Sequence, residues 1–324
     1  MRRFLTLLCR HSRRRTCLFA FVSCMMSIAI VLISCTGESV QKSDLADHAG
    51  RYNAIDLSHL DVTLASPESF IVDEASGCYF VSNVNGASDT KDDNGFIIKL
   101  DSNFNLIDNY FIDGRDDAID LHTPKGMVVS RGVLYVCDLD TVRGFSSETG
   151  AHLFDSDFTP LGATFLNGIT ADSAGNLYVS DTYQNKIYRV DTNGYLSMYA
   201  EISFPNGLCL GPDGALYVVT WEAGRRLLFL EDARIFRIQP DGLVNAMWFT
   251  TEFENLDGVD LDDAGRLVFS DYGHGVVYAF EPTTGMLAKI AEGIGTPAGI
   301  SCDRSRGLIL IPDLQGSIAV LKWH

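Results

Sequence analysis

The sequence predicts an all-β fold, a six-bladed β-propeller with four antiparallel strands per blade and a last blade closed by an N-terminal strand. Three observations predict it. One phrase returns six times, as 67-PESFIVDEASGCYFVSN-83, 124-PKGMVVSRGVLYVCD-138, 166-LNGITADSAGNLYVSD-181, 205-PNGLCLGPDGALYVVT-220, 256-LDGVDLDDAGRLVFSD-271 and 297-PAGISCDRSRGLILIPD-313. The small residues Ser69, Gly126, Gly168, Gly207, Gly258 and Gly299 follow one another at 57, 42, 39, 51 and 41 residues, the spacing of propeller blades. No amphipathic helical period competes anywhere past residue 34.

Within each repeat a short strand leads through a turn rich in Asp, Ser and Gly to a second strand of Tyr, Val, Leu and Ile. A third strand follows, as in Lys186–Asp191 or Val276–Glu281, and then a fourth, as in Leu196–Ala200. The sixth repeat has room for three strands after Gly299. An open ring would leave a bare sheet edge, which natural proteins avoid. Ala54–Leu64, which precedes the first repeat and has no blade of its own, is therefore expected to pair with Gly316–Trp323 as the missing outer strand. Residues 51–324 form the propeller on this reading. Two repeats carry insertions after the second strand, a polar and mobile 84-VNGASDTKDDNG-95 and 221-WEAGRRLLFLEDAR-234. Both fall on the face where the first strands begin.

Residues 1–34 read as a leader, with a basic stretch holding six Arg and no acid, then an apolar run from Cys17 to Ile33. The run ends in Leu32-Ile33-Ser34-Cys35. That tetrad resembles a bacterial lipobox, with a plain signal peptide or an anchor helix as the alternatives. It implies cleavage before Cys35, a lipid on that Cys, a polar tether over 35–50, and an exported protein held at the cell envelope, in the periplasm or at the outer membrane. Without the leader, 19 basic residues face 42 acidic ones, a net charge of −23. Such a surface repels phosphate backbones, so nucleic acid is not an expected partner, and it suits divalent cations. Four of the eight Cys lie in the leader and lipobox; Cys78, Cys137, Cys209 and Cys302 stand singly in apolar strands, as buried thiols with a disulfide as the minor alternative. No Gly-x-Ser-x-Gly elbow, His-Glu-x-x-His or phosphate loop occurs.

The residue before each small residue starts the strand that lines the central channel. In order these are Glu68, Lys125, Asn167, Asn206, Asp257 and Ala298. Asn-Gly and Asp-Gly are turn dipeptides when met alone. Four oxygen-bearing side chains in one register are something else: Glu68, Asn167, Asn206 and Asp257 would converge on the axis and fit Ca²⁺, or another divalent cation, which takes six to eight oxygens with water completing the shell. No His or thiolate accompanies them, which disfavours zinc and copper. Asp138, Asp181 and Asp271, each ending a second strand, read as turn caps. His122 and His274 lie on channel-face loops.

With Glu68-Ser69, Asn167 followed by Asp172, Asn206-Gly207 and Asp257-Gly258, the chain over roughly 52–324 resembles the regucalcin/gluconolactonase family of six-bladed propellers, and more distantly paraoxonase and strictosidine synthase. The resemblance implies a divalent metal held by those four residues. It also marks departures. Phe165 stands where the sugar-lactone enzymes keep a substrate-binding Arg, and Lys125 where paraoxonase has a His. The expected function is hydrolysis of a small-molecule lactone or related ester by a monomer, with the metal polarising the carbonyl and Asp257, Lys125 or His274 taking the proton. Phe165, Arg225 and Arg226 are the expected substrate contacts, suited to an acyl-bearing or aromatic lactone. The alternative is a non-catalytic, NHL-type propeller that binds a protein or ligand, since propellers host both roles.

Overall fold

A computed structural model describes residues 52–221, 234–247, 249 and 251–323. The leader, Cys35 and its tether, and Arg225 and Arg226 lie outside the described residues. Among those described, no helix is long and apolar enough to cross a membrane.

Six four-stranded antiparallel sheets follow one another along the chain. After the short strand β1 (Tyr52–Ala54), blade one is β2 (Pro67–Asp73), β3 (Cys78–Asn83), β4 (Phe96–Leu100) and β5 (Leu106–Asp113). Blade two is β6 (Pro124–Ser130), β7 (Val133–Asp138), β8 (Thr141–Ser146) and β9 (His152–Asp157). Blade three is β10 (Leu166–Ala171), β11 (Leu177–Asp181), β12 (Lys186–Val190) and β13 (Leu196–Glu201). Blade four is β14 (Pro205–Leu210), β15 (Leu216–Thr220), β16 (Ile235–Ile238) and β17 (Val244–Met247). Blade five is β18 (Leu256–Leu261), β19 (Leu267–Asp271), β20 (Val276–Glu281) and β21 (Met286–Glu292). Blade six holds β22 (Ser301–Asp303), β23 (Leu308–Asp313) and β24 (Ser317–Trp323), with β1 as its outer strand.

The predicted closure is present, with one correction. The closing strand is Tyr52–Ala54, paired Tyr52 to Trp323, Asn53 to Lys322 and Ala54 to Leu321. The expected Ala54–Leu64 strand ends almost where it was to begin. Turns at Asp56, which accepts the Ser58 N–H at 2.9 Å, and at Leu57, whose carbonyl accepts the Leu60 N–H at 2.9 Å, stop the pairing. Ile55, Leu57, Leu60, Val62 and Leu64 instead pack against the core between blades six and one, where Phe70, Tyr79 and Phe104 meet Leu308 and Leu310. An alternating apolar pattern thus seals a seam without being a strand. Cys137, Cys209 and Cys302 are buried and Cys78 is half-buried, all four as free thiols, as expected of small hydrophobes.

Candidate functional site

The entrance residues owe their position to a repeated irregularity. Pairing between first and second strands skips between Pro67 and Ser69, Pro124 and Met127, Leu166 and Ile169, Pro205 and Leu208, and Leu256 and Val259. Glu68, Lys125, Asn167, Asn206 and Asp257 each fall inside such a bulge, a device that re-aims side chains beside functional sites. Asn206-Gly207 is therefore no hairpin turn. All five side chains are buried, as is Ala298.

The small residues that follow are required by the neighbouring blade. A Cβ on Gly126 would stand 2.4 Å from the Asn167 carbonyl oxygen, one on Gly168 2.4 Å from that of Asn206, and one on Gly207 2.4 Å from that of Asp257. Alternate blades tie this ring with a serine. Ser180 Oγ accepts the Gly168 N–H at 2.8 Å and donates to the Asn206 carbonyl at 2.6 Å. Ser270 links Gly258 N–H to the Ala298 carbonyl at 2.7 and 2.8 Å, and Ser82 links Ser69 N–H to the Lys125 carbonyl at 2.9 Å each. Of the residues after these serines, Asp181 and Asp271 stood out in the sequence and Asn83 did not; the recurring Ser-Asp and Ser-Asn pairs were the available signal.

The aspartates that end three of the second strands are caps, as expected. Asp138 accepts the N–H groups of His122 and Thr123, Asp181 those of Thr164 and Phe165, and Asp271 that of Glu254. Asp172 caps the turn at the other end of β10, accepting from Asn176, and does not join the entrance ring.

Charge concentrates on three of the entrance residues. Burial pushes the Asp257 carboxyl up to about 7, against a hydrogen bond from Asn206 that favours its charged form. The Glu68 carboxyl is driven well upward by burial and by the Asp257 charge, with Lys125 opposing. Its Oε2 is buried without a hydrogen-bond partner, which a native fold normally avoids. Lys125 is lowered by burial and pulled back by Glu68. Its Nζ donates to the Ser88 carbonyl at 2.9 Å and Thr123 Oγ1 at 2.8 Å, and lies 4.3 Å from the Phe165 ring centre. The Asn167 Nδ2 is turned to the framework, to Thr182 Oγ1 at 3.3 Å, whereas the Asn206 Nδ2 serves both the Leu256 carbonyl, at 3.4 Å, and the Asp257 carboxyl.

An orphaned carboxylate oxygen, a second desolvated carboxyl and two amides form a donor set that fits a hard divalent cation. Among the described residues no three His, Cys, Asp or Glu gather for a metal, so a cation here would rest on two carboxylates and on the amides. His274 is not drawn into this group. Its Nδ1 pairs with Asp271 at 2.8 Å, which raises its pKa, and its side chain is 46% exposed. His122 Nδ1 meets Asp93 at 2.8 Å. With Lys91 bound to Asp140 and Ser88 to Lys125, three contacts strap the 84–95 insertion to blade two, where the sequence suggested a free loop. Below the ring, a cavity of about 440 Å³ begins at Ser69 and the five glycines and runs to Asp73, Arg131, Asp260 and Arg304.

No protein-family model matches the chain, and no curated protein matches it. Solved structures do. A virginiamycin B lyase from Staphylococcus aureus, determined with quinupristin, superimposes with a TM-score of 0.57 at 15% identity, over 85% of this chain and 99% of that one. A structural-genomics target assigned by name alone as a gluconolactonase gives 0.56 at 15%, over 85% and 92%. A luciferin-regenerating enzyme gives 0.57 at 12%, over 84% and 95%. These likenesses are of fold, and the fold they share with this chain is the six-bladed propeller.

Proposed function

We propose that the protein is a metal-dependent hydrolase of a lactone or related ester, with Ca²⁺ or another divalent cation held by Glu68, Asn167, Asn206 and Asp257. The observation that carries this reading is the partnerless Glu68 Oε2 beside the desolvated Asp257. Two buried carboxyls in one site are costly unless a cation joins them. When bound, the cation would polarise an ester carbonyl. Asp257, buried at the entrance ring, is the first candidate base. Lys125 keeps its ammonium committed to Ser88 and Thr123 and sets positive charge beside Glu68. His274, oriented by Asp271 outside the entrance group, would take a proton only through an intervening water. We place the protein outside the cytoplasm as a monomer anchored through a lipid on Cys35.

A lactone panel assayed with and without chelator tests the reading, together with calorimetry of Ca²⁺. One site that vanishes in Asp257→Ala, and chelator-sensitive turnover, are expected. Phe165, at the place of the sugar-lactone Arg, favours the rival reading of a non-catalytic propeller. That reading predicts ligand or protein binding at the same mouth with no turnover of any lactone.

A further inference from the structure

Around the mouth, in five of the six blades, the residue after the second strand is tied to the residue two before the entrance; blade two offers Thr123 and Leu139 at the same places without that bond. The N–H of Val84 reaches the Ser66 carbonyl at 3.1 Å, Thr182 that of Phe165 at 3.1 Å, Trp221 that of Phe204 at 2.9 Å, Tyr272 that of Asn255 at 3.1 Å, and Leu314 that of Thr296 at 3.1 Å. These paired positions split the mouth into two sectors. Blades six, one and two contribute Thr296, Leu314, Ser66, Val84, Thr123 and Leu139, none of them aromatic. Blades three to five contribute Phe165 with Thr182, Phe204 with Trp221, and Asn255 with Tyr272, four of the six aromatic, and Tyr183 stands next along the chain.

The aromatic sector is built, not scattered. Phe165 stacks on Tyr183 at 4.3 Å and 29°, while the Trp221 and Tyr272 rings meet across two blades at 4.7 Å. The outermost of these rings, Tyr183, is 55% exposed. Phe204 occupies a left-handed backbone position (φ 48°) where blades one and five place Ser66 and Asn255 (φ 53° and 55°). A bulky aromatic is a strained choice there. Tyr272 stands near enough to Asp257 to feel its charge. The sector therefore adjoins Asn167, Asn206 and Asp257.

We propose that this sector is a subsite for an aromatic ring on the substrate, which stacks between Tyr183 and the Trp221–Tyr272 pair while its carbonyl lies at the entrance ring. The hydrolase reading supplies the carbonyl; the subsite is a separate statement about its substituent. Phe165 belongs to the same wall, with the Lys125 ammonium behind it. A bare sugar acid would find no free cation there among the described residues, whereas a flat apolar group finds ring faces.

The test uses γ-phenyl-γ-butyrolactone against its γ-cyclohexyl counterpart, which matches it in bulk and lacks the ring current and flat face. Wild-type protein should prefer the phenyl compound by about tenfold in kcat/KM, the upper range for one stacked pair. The preference should fall to about parity in Tyr183→Ala and return in Tyr183→Phe. Since Tyr183 is exposed, its loss leaves the core intact. The two corresponding lactams, titrated calorimetrically, report binding without hydrolysis. If no lactone turns over but the phenyl lactam binds preferentially and Tyr183→Ala abolishes that preference, the subsite stands and the hydrolase reading falls. Equal binding of the two lactams, or a phenyl preference that survives Tyr183→Ala, overturns the subsite whatever the turnover.

Discussion

Asp257 and Glu68 keep their protons more tightly in the folded chain than in an unfolded one, because burial disfavours their charged forms. Between the usual carboxylate range and about pH 7, the unfolded state therefore releases protons that the folded state retains. Cation-free protein should lose stability as pH rises through that window, the reverse of a salt-bridged Asp. A bound cation takes over the role of the protons, so added Ca²⁺ should restore the melting temperature most at pH 8 and least at pH 5. Thermal scans with and without chelator check this; a melting temperature that rises from pH 5 to 8 in chelator would reject it. The sequence showed these two residues in one register of the repeat. It could not show that Glu68 Oε2 is left without a partner, because that depends on what six distant segments bring to one axis. Likewise Asn206-Gly207 could be read as a hairpin turn until its bulge was visible.

At the level of strands, the bulge and its serine are the units that hold the mouth together. Ser180→Ala strands one buried N–H and one carbonyl, and should lower unfolding stability by about 2 kcal/mol. Gly207→Ala forces a Cβ against the Asp257 carbonyl oxygen and should cost about 1–3 kcal/mol. It should also weaken Ca²⁺ binding, since Asp257 must move. Denaturant unfolding paired with Ca²⁺ calorimetry measures both, and a Gly207→Ala protein with wild-type stability would contradict the close approach. Strand count, strand order and the site of each insertion were legible from repetition alone. The serines recur visibly before Asn or Asp, but what they tie was not legible, for one partner of each lies on the next blade. Nor was the length of the closing strand, because Ile55–Leu64 alternates like a strand yet serves a seam.

As a whole the molecule is a ring closed by three residues of β1 against β24, with Arg266 lying 3.5 Å over the Trp323 ring and Tyr52 4.6 Å from it. Removing residues 36–50 should leave folding unchanged. Removing 36–64 deletes β1 and the seam residues, and should give an aggregating protein with an exposed β24 edge. Light scattering during heating compares the two, and equal behaviour would mean that the ring closes without β1.

The ring of small residues carries a consequence for how such a chain can change over generations. Gly168 is small for the sake of Asn206, and Gly207 for the sake of Asp257, each in the following blade. Five of the six repeats carry the same glycine at that place, so a copied repeat would bring with it the room that the next bulge needs. What each copy must inherit is one small residue whose use lies outside its own strands, in the blade that follows.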